Sequence, residues 1–278
     1  MLASQRHTYW LLIVPAVLLM LVFYIYPLIQ VLWISVTEPY FGLQNYEALL
    51  SRPLLHRIWL TTLRICAITT IITVTLGYLV AYAMARVGER QRTTMMFCIL
   101  LTFWLSVLIR AFAWVMLLRN GGLINSALMG LGIIDGDLPL LRNEFAVIVG
   151  MVHFMMPLAV LPIYSNMSGI DGRYVSAARG LGASPWEAFW HIHLPLSKPG
   201  LIAATILVFV FSLGFFITPA ILGGGKVVMI SEYIQVSFEE TLRWGQATML
   251  ASSLLFAVLL TLALVARFVD LKKVFGAR

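Results

Sequence analysis

Charge is what this sequence has least of. Asp, Glu, Lys and Arg make up 11% of its 278 residues, while 61% are hydrophobic; a soluble domain carries about a quarter charged residues. A chain so short of charge cannot clothe itself in hydrated surface. That excludes a string of soluble domains and points to an all-α polytopic membrane protein with a single transmembrane domain, residues 1–278. Cysteine is nearly absent as well. Cys66 and Cys98 both lie in apolar runs, which excludes a disulfide framework and a thiolate metal site. His191 and His193 stand two apart on an expected helix and so do not share a face; no metal ligand is assigned. No nucleophile–base constellation occurs, and no catalytic residue is assigned. The run from Gly223 to Lys226 ends in Val227, where a phosphate-binding loop needs Ser or Thr to hold magnesium, so the chain is not expected to bind a nucleotide or other cofactor of its own.

What is present is long hydrophobic runs. A helix needs about 20 mostly apolar residues to cross a bilayer. Six stretches qualify, at about 10–36, 58–85, 93–118, 145–164, 201–222 and 247–268. Each satisfies its own backbone only as a helix, and none alternates as the strands of a barrel would. The first is too long for a signal-peptide core and lacks a small-residue cleavage site, so it is expected to stay as a membrane anchor.

The formal charge of +7 is a topology signal rather than a nucleic-acid patch. With both termini placed in the cytoplasm, eleven Lys and Arg residues fall inside, among them Arg6, Arg86, Arg90, Lys272, Lys273 and Arg278, and six fall outside. The acids lean the other way, with Asp270 among four inside and Glu144 and Glu232 among eight outside. Basic residues on the inner side are the expected pattern. One inner loop, 166–200, is far longer than the connection between the second and third spans, and loops of that length usually carry structure or function of their own.

That loop reads as two short helices. Asp171 suits an N-cap, and Gly182 suits the left-handed residue after a helix end. Ser184, Pro185 and Glu187 then form a capping box with proline at the first helical position. The second helix runs through Phe189, Ile192 and His193 until Pro195 is expected to stop it. Trp186, Phe189 and Trp190 give it an apolar ridge that a partner could bury.

Here the chain resembles a known family. Ala177-Ala178, three residues, Gly182, nine residues, then Ile192-x-Leu194-Pro195 is similar to the cytoplasmic motif of binding-protein-dependent ABC permeases, in which Glu precedes the two alanines; Ser176 stands in its place here, which weakens any salt bridge at that point. LLRNGGLIN at 117–125, FAVIVGMV at 145–152, MPLAVLPIY at 156–164 and FITPAILGG at 216–224 resemble the spermidine/putrescine-type permeases, whose relatives also import opines, other organic amines, phosphonates and ferric iron. The resemblance implies a type I ABC importer transmembrane domain in the bacterial cytoplasmic (inner) membrane. It implies a coupling helix that docks into an ATPase subunit through Ala177, Ala178, Gly182, Ser184, Trp186, Glu187, Phe189, Ile192, Leu194 and Pro195. The implied partners are two copies of that ATPase, which bind ATP and Mg, a second and different permease in a heterodimer, a periplasmic solute-binding protein and the lipid bilayer, with no nucleic acid.

Ionisable residues inside spans are functional candidates by default. Arg64 reads as a structural tie. Arg110 either lines a translocation path or ties helices together, and Trp114, four residues on, can share its face in a cation–π pair that Ser106 and Phe103 continue. His153 shares a face with Pro157 and Tyr164, and Gly214, Thr218 and Pro219 interrupt the fifth span beside Phe216. Arg110, Trp114, His153, Phe216 and Thr218 are therefore the candidate path. The spans hold no Asp or Glu, which argues against a stand-alone channel or secondary transporter with its own coupling-ion site. The cargo class is a small organic, nitrogen-containing solute, polyamine first. The arginines pull instead towards an anionic group, as in an opine, amino acid derivative or phosphonate.

Overall fold

In lipid a segment must close its backbone hydrogen bonds internally, and this chain does so as helix. The computed structural model describes residues 13–268. Positions 10–12 of the first expected span, together with Arg6, Asp270, Lys272, Lys273 and Arg278, lie outside the described residues. In chain order the helices are α1 (Ile13–Thr37), α2 (Gln44–Ser51), α3 (Pro53–Met84), α4 (Glu89–Trp104), α5 (Val107–Leu118) and α6 (Leu123–Gly130). There follow α7 (Glu144–Ser168), α8 (Arg173–Gly180), α9 (Pro185–Leu213), α10 (Ile217–Gly223), α11 (Ile230–Gln235) and α12 (Trp244–Phe268). Among the described residues there is no strand, and six helical stretches are long and apolar enough to cross a membrane.

Two spans differ from expectation. The stretch at 93–118 is not one helix: α4 ends at Trp104 and α5 begins at Val107, with Leu105 and Ser106 extended between them. Serine prefers cap geometry to a helix interior, and Ser106 is the N-cap of α5. At the fifth span no helix starts near 201. The helix that carries it begins at Pro185, inside the expected loop, and runs to Leu213, after which Gly214–Phe216 separate it from α10.

The chain divides into two compact units. One comprises residues 13–56 with Tyr233–Ala257. Within it Asn45 donates to the carbonyls of Ser35 (3.0 Å) and Glu38 (2.7 Å), and the hydroxyls of Ser35 and Tyr46 meet at 3.0 Å. These bonds hold α2 against the end of α1.

The other unit comprises 57–232 with 258–268, and its core lies where α3, α7 and α9 meet. Val74, Tyr78 and Ala81 pack with Met155, Ala159 and Ile163 and with Ala204 and Val208. Lipid tails are as apolar as leucine, so helices associate through close packing and hydrogen bonds rather than hydrophobic drive. Small residues supply the approach. A Cβ on Gly77 would sit 2.8 Å from that of Ala159, and one on Gly200 would sit 2.6 Å from Asn166 Cβ and 2.9 Å from the Pro162 carbonyl. Hydrogen bonds then tie the same helices. Tyr78 and Ser197 hydroxyls are 3.0 Å apart, and the Asn166 amide, turned to present its nitrogen, donates to the carbonyls of Leu196 and Ser197 at 3.2 and 3.3 Å.

Because backbone, not a flexible side-chain tip, blocks the space at Gly200, Gly200→Val is expected to force α9 off α7 and destabilise the protein by about 1–3 kcal/mol, the usual cost of overpacking. The thermal midpoint of the detergent-solubilised protein measures this; an unchanged midpoint contradicts the close approach.

Candidate functional site

Two places concentrate features that plain packing does not require. The first is the hairpin of α8 and the start of α9. Asp171 accepts the backbone N–H of Arg173 (2.9 Å) and its guanidinium (2.8 Å), and that guanidinium holds the Asp171 carboxyl below the ordinary carboxylate range. The N-cap is Gly172, one residue later than expected, because the side chain of Asp171 reaches forward over it. At the other end Ala183 N–H donates to Ala178 O and Gly182 N–H to Arg179 O, both at 3.0 Å, with Gly182 at φ +96°. This is the double bond pattern that closes a helix on a left-handed glycine. Ser184 and Glu187 then cap α9 reciprocally, at 3.2 and 2.7 Å, with Pro185 at the first helical position.

Pro195 does not stop the helix. A turn of π-helix over Phe189–His193, closed by Leu194 N–H on Phe189 O, precedes it. Proline in a regular α-helix collides with the carbonyl four residues back; the wider turn relieves that clash, and the chain continues into α9 without a break. The expected aromatic ridge is divided too. Trp186 (68% exposed) and Trp190 (46%) face outward. Phe189 turns in, edge-on to Tyr82 at 5.4 Å and Tyr78 at 6.2 Å, and so clamps the hairpin to α3, while Arg86 lies over Tyr82 at 3.9 Å. Ile192 and Leu194 are half-buried. Two apolar side chains that sequence reasoning overlooked are bare: Leu181 (91% exposed) at the tip of the turn and Tyr174 on α8. A leucine between two glycines at a helix end was the signal for the first.

The second place is a polar and aromatic cluster on α5, α7 and the interruption after α9. Arg64 is set apart from it by an ion pair with Glu144. Arg110 is 7% exposed, and its guanidinium lies 4.4 Å from the centre of the Phe154 ring. It does not pair with Trp114, whose indole N–H donates to His153 Nδ1 at 3.1 Å. Phe103 does not continue the Arg110 face, since the helix is broken between them, whereas Ser106 is the N-cap of the same helix and its carbonyl accepts the Arg110 N–H at 3.2 Å. Phe154 in turn meets Phe215 at 4.4 Å, and the Phe215 carbonyl, freed by the interruption, accepts the Ser231 hydroxyl at 2.7 Å. Phe216 is the half-buried N-cap of α10. Thr218 is 3% exposed and packs on Gly150. Phe154 and Phe215 were missed, although each adjoins a residue that sequence reasoning singled out. Glu232, next to Ser231, keeps one buried carboxylate oxygen without a partner among the described residues, and burial raises its carboxyl above the ordinary range. Among the described residues no cluster of potential metal ligands occurs.

A capped hairpin with bare apolar side chains and helices interrupted beside polar groups are the two features that stand out from the packing. Residues 73–271 match the family of binding-protein-dependent transport system inner membrane components, and the chain belongs to that family. It is 33% identical over 220 residues to the spermidine/putrescine transport system permease protein PotB of Haemophilus influenzae, covering 78% of this chain and 77% of that one. Against PotB of Escherichia coli K12 it is 33% identical over 228 residues, covering 81% and 82%. The molybdenum transport system permease protein ModB of Azotobacter vinelandii is 28% identical over 210 residues, covering 73% and 89%. Among solved structures, a bacterial alginate ABC transporter in complex with its alginate pentasaccharide-bound periplasmic protein superposes with a TM-score of 0.78 at 18% identity, covering 99% and 96%. This chain is thus the transmembrane permease subunit of an ABC importer, a multi-pass inner-membrane protein and not itself an enzyme.

The divided ridge makes a prediction. Phe189→Ala removes half-buried packing on Tyr78 and Tyr82 and is expected to lower the permease's own stability by about 2 kcal/mol, below the cost of a fully buried phenylalanine. Leu181→Ala, fully outside the packing, stays within about 0.5 kcal/mol of wild type. Equal effects of the two in thermal unfolding would contradict the inward placement of Phe189.

Proposed function

We propose that this permease passes a polyamine-like solute from a periplasmic binding protein to the cytoplasm. The observation that carries the proposal is the 33% identity to PotB proteins over about four fifths of both chains. In this reading two ATPase subunits bind ATP and Mg, a second and different permease completes a heterodimer, and both termini face the cytoplasm, in keeping with the basic excess on that side. This chain contributes no cofactor site.

The hairpin of α8 and α9 is then the coupling element. Leu181 and Trp186 present apolar surface to the ATPase, and Gly182 sets the angle between the helices. Since α9 is continuous from Pro185 to Leu213, displacement of the hairpin carries directly to the interruption at Gly214–Phe216. One observation favours another cargo: Arg110 is buried with no carboxylate partner among the described residues, which would suit an opine, amino acid derivative or phosphonate.

Competition separates these cargoes. Cells carrying the transporter are expected to take up labelled spermidine, and excess putrescine is expected to block that uptake, whereas uptake of a labelled opine or phosphonate with no uptake of either polyamine would reverse the assignment. For coupling, Gly182→Val places a β-branched residue at φ +96°, a region costly to all but glycine, although nothing lies within 4 Å of the added carbon. The expected outcome is a folded permease whose ATPase is no longer stimulated by loaded binding protein. Normal stimulation in the reconstituted variant would refute the role of the turn.

A further inference from the structure

Arg110 is a cation buried without an anion. Its Nε and Nη1 are closed off from solvent with no acceptor among the described residues, and the contact that holds its charge is the face of Phe154, 4.4 Å away. Burying a charge without a partner is costly, so the ring must recover part of that cost through its negative face. Arginine suits such a place better than lysine because its guanidinium is more weakly hydrated. Phe154 does not act alone. Phe215 stands against it, ring centres 4.4 Å apart and planes tilted by 42°, so the two rings form one aromatic wall. Both are half-buried. The wall stands where α9 is interrupted, and the Ser231 hydroxyl fixes the Phe215 backbone there. Such interruptions in a span are tolerated only against protein or a water-filled cavity.

An aromatic wall with a cation on its face is the chemistry that recognises an ammonium group. We infer that the Phe154–Phe215 pair is a binding site for an alkylammonium group of the cargo, and that in this conformation Arg110 occupies it as a tethered cation which the cargo displaces. The inference rests on the polyamine reading given above. It explains why a cation carrier holds an arginine at this point, an arrangement that would otherwise repel its cargo. Two like charges cannot share one ring face without mutual repulsion, so occupation is exclusive and each passage of cargo must move Arg110 aside. A primary ammonium on a methylene chain offers what the wall accepts: a compact charge for the ring face and an apolar stem for its edge.

The test is equilibrium binding of labelled spermidine to the whole transporter, with second permease and ATPase, in lipid nanodiscs without binding protein. Arg110→Met removes the tethered competitor and is expected to bind spermidine about tenfold more tightly than wild type, within the range a desolvated cation–π contact commands; Arg110→Gln serves the same purpose should Met impair assembly. Arg110→Lys, which keeps a tethered cation, stays near wild type. Adding Phe154→Leu to the neutral variant abolishes the gain, and adding Phe154→Tyr preserves it. Co-purification of the second permease and the ATPase in unchanged proportion shows that each variant is assembled. Unchanged or weaker spermidine binding in both neutral variants overturns the inference, as does a gain that survives Phe154→Leu. Uptake of spermidine by the wild-type transporter is measured in parallel. If it occurs while the variants are flat, the site falls and the cargo reading stands; if the wild type takes up neither spermidine nor putrescine, the cargo reading falls and takes the site's ligand with it.

Discussion

A backbone amide in hydrocarbon has no water to fall back on, and an unmade hydrogen bond there costs several kcal/mol. Each irregularity in these spans is shaped by that constraint. Where the chain keeps going, it does so by widening: π-turns at Leu21–Ile25 and Phe189–His193 hold their ladders closed through the i→i+5 bond. Where it stops, nearby groups take up freed positions. Ser106 O accepts Arg110 N–H at 3.2 Å, Ser212 O accepts Phe215 N–H at 3.2 Å, and the Phe215 carbonyl receives a side-chain hydroxyl. Interruptions therefore sit among protein groups.

The longest consequence of this is α9. It starts at a capped, glycine-hinged turn and ends at the aromatic cluster, and its backbone stays helical past Pro195 and Pro199. Small residues seat it on α7, and Tyr78 and Asn166 bond to Leu196 and Ser197 near its middle. Phe189 clamps its beginning to α3. Under the proposed function, the energy of partner docking would travel along this helix to the interruption at Gly214–Phe216, where Phe215, Phe154 and Arg110 meet. Under that proposal coupling and solute passage would be two ends of one helix rather than two devices linked by a chain of soft contacts.

Local rules made part of this readable from the residues. The six apolar runs, the capping box of Ser184 and Glu187 and the left-handed Gly182 follow from hydropathy and short-range hydrogen bonding, and each involves residues only a few positions apart. What depended on distant partners was not readable. Phe189 belongs to the same helical ridge as Trp186 by spacing, but Tyr78 and Tyr82, a hundred positions upstream, decide that it turns inward. Arg110 and Trp114 are ideally spaced to pair with each other, yet Phe154 and His153 on α7 outcompete that contact. The break at Leu105–Ser106 carries neither glycine nor proline to announce it. Pro195 announces a stop that the π-turn before it cancels, and the role of Thr218 is set by Gly150 on another helix.

The claim on which this account turns is that α9 is one rigid element from the hairpin to the interruption. Distance measurement between spin labels at Glu187 and Thr205, in a variant with Cys66 and Cys98 replaced by serine, tests it most directly. The two sites are roughly 27 Å apart at 1.5 Å of rise per residue, within reach of dipolar spectroscopy. The account predicts one narrow distance distribution, unchanged between the nucleotide-free and ATP-bound transporter. A second population, or a shift on ATP binding, would show that the π-turn is a hinge and would contradict it.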